Sequence, residues 1–318
     1  MKTALITGVT GQDGNYLAKL LLEKGYAVIG LTRNRNLANL GGLSYLGIRN
    51  DTIIEECNLT DLPSVIRLME KYKPAEIYNL AAQSSVGVSF EQPTATIQFN
   101  INSVLNILEA VRLTDKSIRI YQASSSEMFG KVSSLPVTLS TPMHPLSPYA
   151  VSKASAFWAV RNFREAFQMF ACNGILFNHE SSLRSNDFFV KKVITESIKI
   201  QRGLIDQLRV GNINVKRDFG YAPKYVEAMW LLLQHREPID VIICSGVSIS
   251  LREIIDHVFS ALKVPSSKLT IDNNLFRPVD IEDIYGSNLI AKEVLGWSYD
   301  LDFRVVLDLL IEEELRKL

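Results

Sequence analysis

The sequence predicts an α/β protein, a Rossmann-type doubly wound parallel sheet with a smaller α/β lobe over its carboxyl edge. Three observations carry that expectation. Strand-like and helix-like segments alternate through the first half, a glycine-rich turn separates the first strand from the first helix, and beyond Asn178 the alternation loosens.

Lys2 to Thr7 reads as a short β-rich run, and Tyr16 to Lys24 as a helix with Leu17, Leu20, Leu21 and Leu22 at helical spacing. Ala27 to Leu31 is a second apolar run. Strand, helix and strand form a βαβ unit, whose right-handed crossover makes the two strands parallel. Thr52 to Glu56 then reads as a strand, Leu62 to Lys71 as a helix, Glu76 to Leu80 as a strand, Ile101 to Arg112 as a helix and Ser117 to Ala123 as a strand. A long helical stretch runs from Pro148 to about Met169, and Cys172 to Phe177 reads as one more buried strand. Beyond it come a polar loop from Glu180 to Asp187, a helix from Val190 to Arg202, scattered short strands, and helices near Tyr225 to Gln234, Leu251 to Leu262 and Phe303 to Arg316. The expected division is residues 1–177 as a dinucleotide-binding domain and 178–318 mainly as a substrate lobe, with about 218–245 returning to the first domain.

The chain has 318 residues, 47% hydrophobic and 21% charged, which suits a large buried core and excludes collagen-like, disordered and low-complexity classes. Lys plus Arg equals Asp plus Glu at 34 each, so no overall field gathers nucleic acid or an anionic membrane. Cys57, Cys172 and Cys244 lack zinc-site spacing, and their odd number argues against a disulfide framework. No apolar run reaches the ~18 residues of a membrane span, and Met1 and Lys2 lead straight into a strand pattern. A soluble, unexported, cytoplasmic protein is expected. His144, His179, His235 and His257 are too scattered for a metal site, so no metal is assigned, and Trp158, Trp230 and Trp297 read as core.

Gly8-Val9-Thr10-Gly11-Gln12-Asp13-Gly14 stands between the first strand and first helix, the context in which such glycines mean dinucleotide binding. Gly8 permits the tight turn, Gly11 the approach of a pyrophosphate and Gly14 close helix-to-strand contact, while helix N-terminal amides face the anion. The second strand ends in Leu31-Thr32-Arg33-Asn34-Arg35, with no acid to hold a ribose 2′-hydroxyl. An arginine there suits a 2′-phosphate, so NADP is favoured over NAD, against the alternative that Arg33 and Arg35 are ordinary surface charges. Tyr149 and Lys153 lie at i and i+4 near the start of a helix that Ser147 can cap and Pro148 can begin. A lysine ammonium beside a phenol favours the phenolate and brings the tyrosine towards use as a base. The pair stands downstream of Ser124-Ser125-Ser126-Glu127 at a strand's carboxyl end, and that combination marks an active site.

Thr7 to Gly14, Asn79-Leu80-Ala81-Ala82, the serine cluster and Tyr149-x-x-x-Lys153 together resemble the extended short-chain dehydrogenase/reductase superfamily of nucleotide-sugar enzymes. Within it, Gly11-Gln12-Asp13-Gly14, Ser126-Glu127-Met128-Phe129-Gly130, Cys172 to Ser181 and Phe276-Arg277-Pro278 are similar to GDP-mannose 4,6-dehydratases, from residue 1 to about 300. The resemblance implies a redox-neutral cycle yielding GDP-4-keto-6-deoxymannose. Tyr149, assisted by Lys153, would take the C4 hydroxyl proton while hydride passes to NADP, and Ser125 would bond the sugar O4. Glu127 would remove the C5 proton and assist loss of the C6 hydroxyl before hydride returns to C6. It also implies cofactor contacts from Gly8, Gly11, Gln12, Asp13, Gly14, Arg33, Asn58, Leu59, Leu80, Ala81, Ala82, Tyr149 and Lys153. Substrate contacts would come from Ser84, Asn178, Lys192, Arg217 and Arg277, and the assembly would be a homo-oligomer, a dimer or tetramer.

For Arg217 the bland alternative is a local ion pair with the adjacent Asp218. Departures from the family pattern are Asn58 where relatives usually carry Asp, Ser85 where they tend to carry His, Ser182-Leu183-Arg184 in place of Pro-Arg-Arg, and a shorter segment after Arg35 without an arginine-rich loop. A GDP-4-keto-6-deoxyhexose reductase, a nucleotide-sugar epimerase, or an inactive NADP-binding sensor or scaffold are the competing readings. Glu127 favours dehydration, because an epimerase needs no C5 base, although some reductases carry an acid there too.

Overall fold

In a computed structural model, which describes residues 1–317, the first half alternates as the sequence predicts. In chain order stand β1 (Thr3–Thr7), α1 (Gln12–Glu23), β2 (Ala27–Thr32), α2 (Gly41–Tyr45), β3 (Thr52–Glu56), α3 (Leu62–Tyr72), β4 (Glu76–Asn79), α4 (Val86–Glu91), α5 (Pro93–Thr114), β5 (Arg119–Ser125), α6 (Pro148–Phe167) and β6 (Ala171–Leu176). The second half holds β7 (Asn178–Glu180), α7 (Phe189–Gln201), β8 (Leu208–Val210), β9 (Lys216–Tyr221), α8 (Ala222–Gln234), β10 (Val241–Ile243), β11 (Ser248–Ser250), α9 (Leu251–Leu262), β12 (Leu269–Ile271), β13 (Asp283–Ile284), α10 (Leu289–Leu295) and α11 (Phe303–Arg316).

Seven strands form one parallel sheet in the order β3-β2-β1-β4-β5-β6-β10. Strand order reverses between β1 and β4, and that switch point opens a crevice at the strands' carboxyl ends. Helices cover both faces. Leu17, Leu21, Val226, Met229 and Leu233 pack α1 and α8 against one face, and Val65, Leu68, Val104, Ile107, Leu108 and Val160 pack α3, α5 and α6 against the other. Thus α8 and β10, between residues 222 and 243, sit on and in the large sheet. The second lobe has its own core, where α7, α9 and α11 bury Val193, Ile194, Ile254, Val258, Val306 and Leu310 beneath the small sheet of β11, β9, β13 and β7.

Local chemistry sets the helix starts. Ser147 accepts from the Ala150 amide and Pro148 opens α6, as the sequence anticipates. Ser250 and Glu253 form a reciprocal capping box on α9. Helix α5 begins at Pro93 rather than near Ile101, because its first turns are held by buried polar groups, which apolar spacing does not reveal. Asn100 donates to the Gln83 carbonyl at 3.1 Å and to Ser152 Oγ at 2.9 Å, and accepts from the Gln83 amide at 2.8 Å. Trp158 departs from expectation: it lies on the outer face of α6 with 55% of its surface exposed, whereas Trp297 is buried. No helix among the described residues is long and apolar enough to cross a membrane.

Candidate active site

The glycine turn is set by close contacts. A Cβ on Gly14 would stand 2.3 Å from the Gly8 carbonyl oxygen, and Gly8 itself has a φ of +68° with Ala81 N at 3.0 Å from where its Cβ would be. No side chain caps α1, so its first amides are left for a ligand, and acidic Asp13 sits in the first turn. Thr7 Oγ1 ties the neighbouring loop down, accepting from the Leu80 and Ala81 amides at 3.0 Å and donating to Asn79 Oδ1 at 2.6 Å.

A cleft of about 920 Å³ runs from this turn across the strand ends. It is lined by Gly8, Gly11, Gln12, Asp13, Gly14, Arg33, Asn58, Leu59, Leu80, Ala81, Ala82, Ser84, Ser125, Glu127, Tyr149, Lys153, Asn178 and Arg277. A second hollow of about 220 Å³ adjoins it, and Glu127, Asn178, Arg184, Phe188 and Arg277 border both while Arg217 borders the smaller one. Lys192 borders neither: its Nζ donates to the Arg209 carbonyl at 2.7 Å on the outer side of α7. Arg33 borders the cleft and Arg35 does not, and the Arg35 backbone amide donates to Glu56 at 3.0 Å. Asn58 is exposed on the rim, where its side-chain oxygen accepts from the Thr60 amide and hydroxyl.

Lys153 is buried and donates to the Ala123 carbonyl at 2.7 Å, with Nζ 5.8 Å from the centroid of the Tyr149 ring. Burial pushes the lysine down to about 8. Burial also pushes the Tyr149 phenol up to about 12, against the hydrogen bond from Ser125. Burial thus sets the phenol and the ammonium both against their charged forms in the chain by itself. The Glu127 amide donates to Ser125 Oγ at 3.3 Å, and Glu127 borders both hollows.

Arg217 is buried and bonded, but not to its neighbour in sequence. It pairs with Asp280 at 2.6 Å and donates to the Ile281 carbonyl at 2.5 Å and the Lys216 carbonyl at 2.8 Å. Asp218 instead accepts from the Ser245 amide and hydroxyl and from the Gly246 and Gly286 amides, while burial pushes its carboxyl up to about 6.

His179 and Arg184 are among the cleft residues that escaped the sequence reading of the site. His179 is buried, and its ring nitrogens face the Phe177 carbonyl at 2.7 Å and the Asp13 carboxylate at 2.9 Å. Both partners are acceptors, an environment that favours a proton on each ring nitrogen. Its pKa is raised accordingly: burial works against the charge, but Asp13 overrides it. With Gln12 Nε2 donating to the His179 carbonyl at 3.0 Å, this pair fastens the glycine turn to β7. Arg184 is the second, its guanidinium 3.5 Å from the Phe188 ring centroid. The signals were adjacency alone, His179 following Asn178 and Arg184 closing a segment that departs from the family pattern.

A glycine turn on a doubly wound sheet, with Ser125, Glu127, Tyr149 and Lys153 converging beside it, defines a nucleotide-sugar enzyme of the extended short-chain dehydrogenase/reductase type. The family model for GDP-mannose 4,6-dehydratase matches residues 5–309, and the chain belongs to that family. It is 41% identical over 325 residues to "GDP-mannose 4,6 dehydratase 1" of Arabidopsis thaliana, covering 99% of this chain and 90% of the relative. Against the human GDP-mannose 4,6 dehydratase it is 38% identical over 336 residues, covering 98% and 89%. Among solved structures, a dTDP-glucose 4,6-dehydratase from Streptomyces venezuelae with NAD superposes with a TM-score of 0.88 at 19% identity, covering 98% and 96%. RMD from Pseudomonas aeruginosa complexed with NADPH superposes at 0.83 with 22% identity, covering both chains fully. At such identities these two speak for the fold alone.

Proposed function

We infer that the chain converts GDP-mannose to GDP-4-keto-6-deoxymannose, with NADP as its resident cofactor. The observation that carries the reading is the position of Glu127, an acidic residue bordering both hollows, beside the serine and tyrosine of the redox site. The uncapped start of α1 and the crowded Gly14 fit a dinucleotide pyrophosphate, and Arg33 on the cleft wall, with no acid at the end of β2, supports a 2′-phosphate. When bound, NADP supplies a hydride acceptor for C4 and a donor for C6.

The chain's own residues do the remaining work. Tyr149 takes the proton of the C4 hydroxyl, and Ser125 bonds O4. Burial opposes the phenolate this needs, and the Ser125 hydroxyl and the Lys153 ammonium are the groups placed to lower that cost. Once C4 is a ketone, the C5 proton is acidic. Glu127 removes it and returns it to the departing C6 hydroxyl, so that one water leaves and the carboxylate is regenerated. Asn178, Arg184, Arg217 and Arg277 ring the second hollow and hold the nucleotide diphosphate, for which forked guanidinium donors are well suited; Ser84 borders the sugar end.

We also propose that residues 1–177 with about 218–245 form the cofactor domain, and that the chain assembles as a homo-oligomer through exposed apolar residues such as Val151 and Trp158 on α6. Three buried free cysteines suit a reducing cytoplasm.

Glu127→Gln tests the reading. The variant keeps the side chain's shape but cannot take a proton, so with GDP-mannose it should accumulate NADPH absorbance on the enzyme, exchange no C5 hydrogen with deuterated solvent, and turn over about 10²-fold to 10⁴-fold more slowly. Formation of the 4-keto-6-deoxy sugar at near wild-type rate would assign the C5 base elsewhere.

A further inference from the structure

We infer that Phe99 sets the direction of Arg33 and thereby the preference for a 2′-phosphorylated dinucleotide; the inference rests on the NADP reading above. Arg33 sits at the exposed end of β2, where a long side chain has many rotamers to lose. Among the described residues, no carboxylate or carbonyl holds its guanidinium. What it faces is the Phe99 ring across the cleft wall, with Cζ 5.4 Å from the ring centroid, and both residues border the cleft.

Two features make that contact suited to selectivity. The ring is fixed: Phe99 is half-buried on α5 immediately before Asn100, whose three hydrogen bonds to Gln83 and Ser152 pin the helix at that turn. The contact also spends the right part of the guanidinium. A carboxylate partner would occupy the in-plane N–H fork, whereas a ring attracts the cation through its π face and leaves the fork free to bind a phosphate edge-on. Phe99 is therefore a positioning residue, acting through Arg33, and Arg35, whose amide is tied to Glu56 outside the cleft, does not replace it.

The test is calorimetric titration of NADP and NAD into cofactor-free wild type, Phe99→Leu, Phe99→Trp, Arg33→Gln and the Phe99→Leu/Arg33→Gln double variant. Phe99→Leu should weaken NADP about 2-fold to 5-fold and leave NAD unchanged, as loss of one exposed cation–π contact requires. Phe99→Trp should retain NADP affinity, which also guards against a folding defect in the leucine variant. In the Arg33→Gln background, Phe99→Leu should no longer change the NADP-to-NAD ratio. Equal weakening of both cofactors by Phe99→Leu would mean the ring packs on the adenosine they share, and no change in either would remove it from selectivity; both outcomes overturn the inference. If wild type and Arg33→Gln alike bind the two cofactors equally, the NADP reading fails first. If Arg33→Gln narrows the gap and Phe99→Leu does not, the inference alone fails.

Discussion

The proposed cofactor side of the cleft is built mainly of backbone, and the proposed sugar-nucleotide side is built of side chains. On the first, Gly8, Gly11 and Gly14 lie within one turn, Leu80 and Ala81 are tied to Thr7, and uncapped helix amides point outward. On the second, Asn178, Arg184, Arg217 and Arg277 arrive from segments spread over a hundred residues, held by contacts such as Arg217 with Asp280. A backbone site tolerates no added atom but needs few particular side chains, while a side-chain site can be retuned one residue at a time. The two should therefore fail differently.

The largest expected failure is on the backbone side. Gly14→Ala puts a Cβ 2.3 Å from the Gly8 carbonyl oxygen, a backbone atom that can yield only by moving the turn. Overpacking of this kind costs about 1–3 kcal/mol, or roughly one to two decades in cofactor affinity if the turn takes the whole strain. Binding of a GDP-sugar to the second hollow should change little. Calorimetry with each ligand separately checks the contrast, and comparable losses for both would show that the two sides are not independent.

This division also explains how much was legible in the sequence. The glycine turn, the Ser147 cap, Pro148 and the Tyr149–Lys153 spacing are local, so a short window contains their whole physical reason. The partner of Arg217 lies 63 residues away in a segment without regular structure, and the sequence offered the adjacent Asp218 instead. The family resemblance implies Lys192 as a substrate contact, and nothing local shows that its Nζ donates to the Arg209 carbonyl. In the sequence His179 reads as a surface or packing residue rather than a metal ligand, since nothing local shows that Asp13, 166 residues earlier, stands against it. The first turns of α5 were missed because buried hydrogen bonds, not apolar spacing, hold them.

On the side-chain half, the matching break is Asp280→Ala. It leaves Arg217 buried without its carboxylate, although the Ile281 and Lys216 carbonyls still accept from the guanidinium and Asp280 is itself partly exposed. The full 3–5 kcal/mol of a broken buried pair is therefore too much, and about 1–2 kcal/mol is expected. A lower melting temperature, by a few degrees, and a KM for GDP-mannose raised about tenfold should accompany an unchanged NADP affinity. A fall in NADP affinity instead would move Arg217 to the cofactor side.

The smallest effect lies where the two sides meet, in the pH dependence set by Lys153. Its folded pKa is about 8 against 10.5 for an ordinary lysine, because burial disfavours the charge. If the ammonium is the form that assists Tyr149, kcat/KM should be halved near pH 8 and fall about tenfold per unit above it. Stability should move the opposite way. Between pH 8 and 10.5 the unfolded chain holds the proton that the folded chain has lost, so this group's contribution to stability rises with pH. The window to watch is pH 8–9, below the range in which Cys57 and Cys172, both raised by burial, begin to work in the other direction. Comparing melting temperatures of wild type and Lys153→Met across that window cancels the remaining groups. The wild type should gain on the variant as pH rises while its turnover declines, and parallel decline of stability and rate would assign the kinetic pKa to a residue other than Lys153.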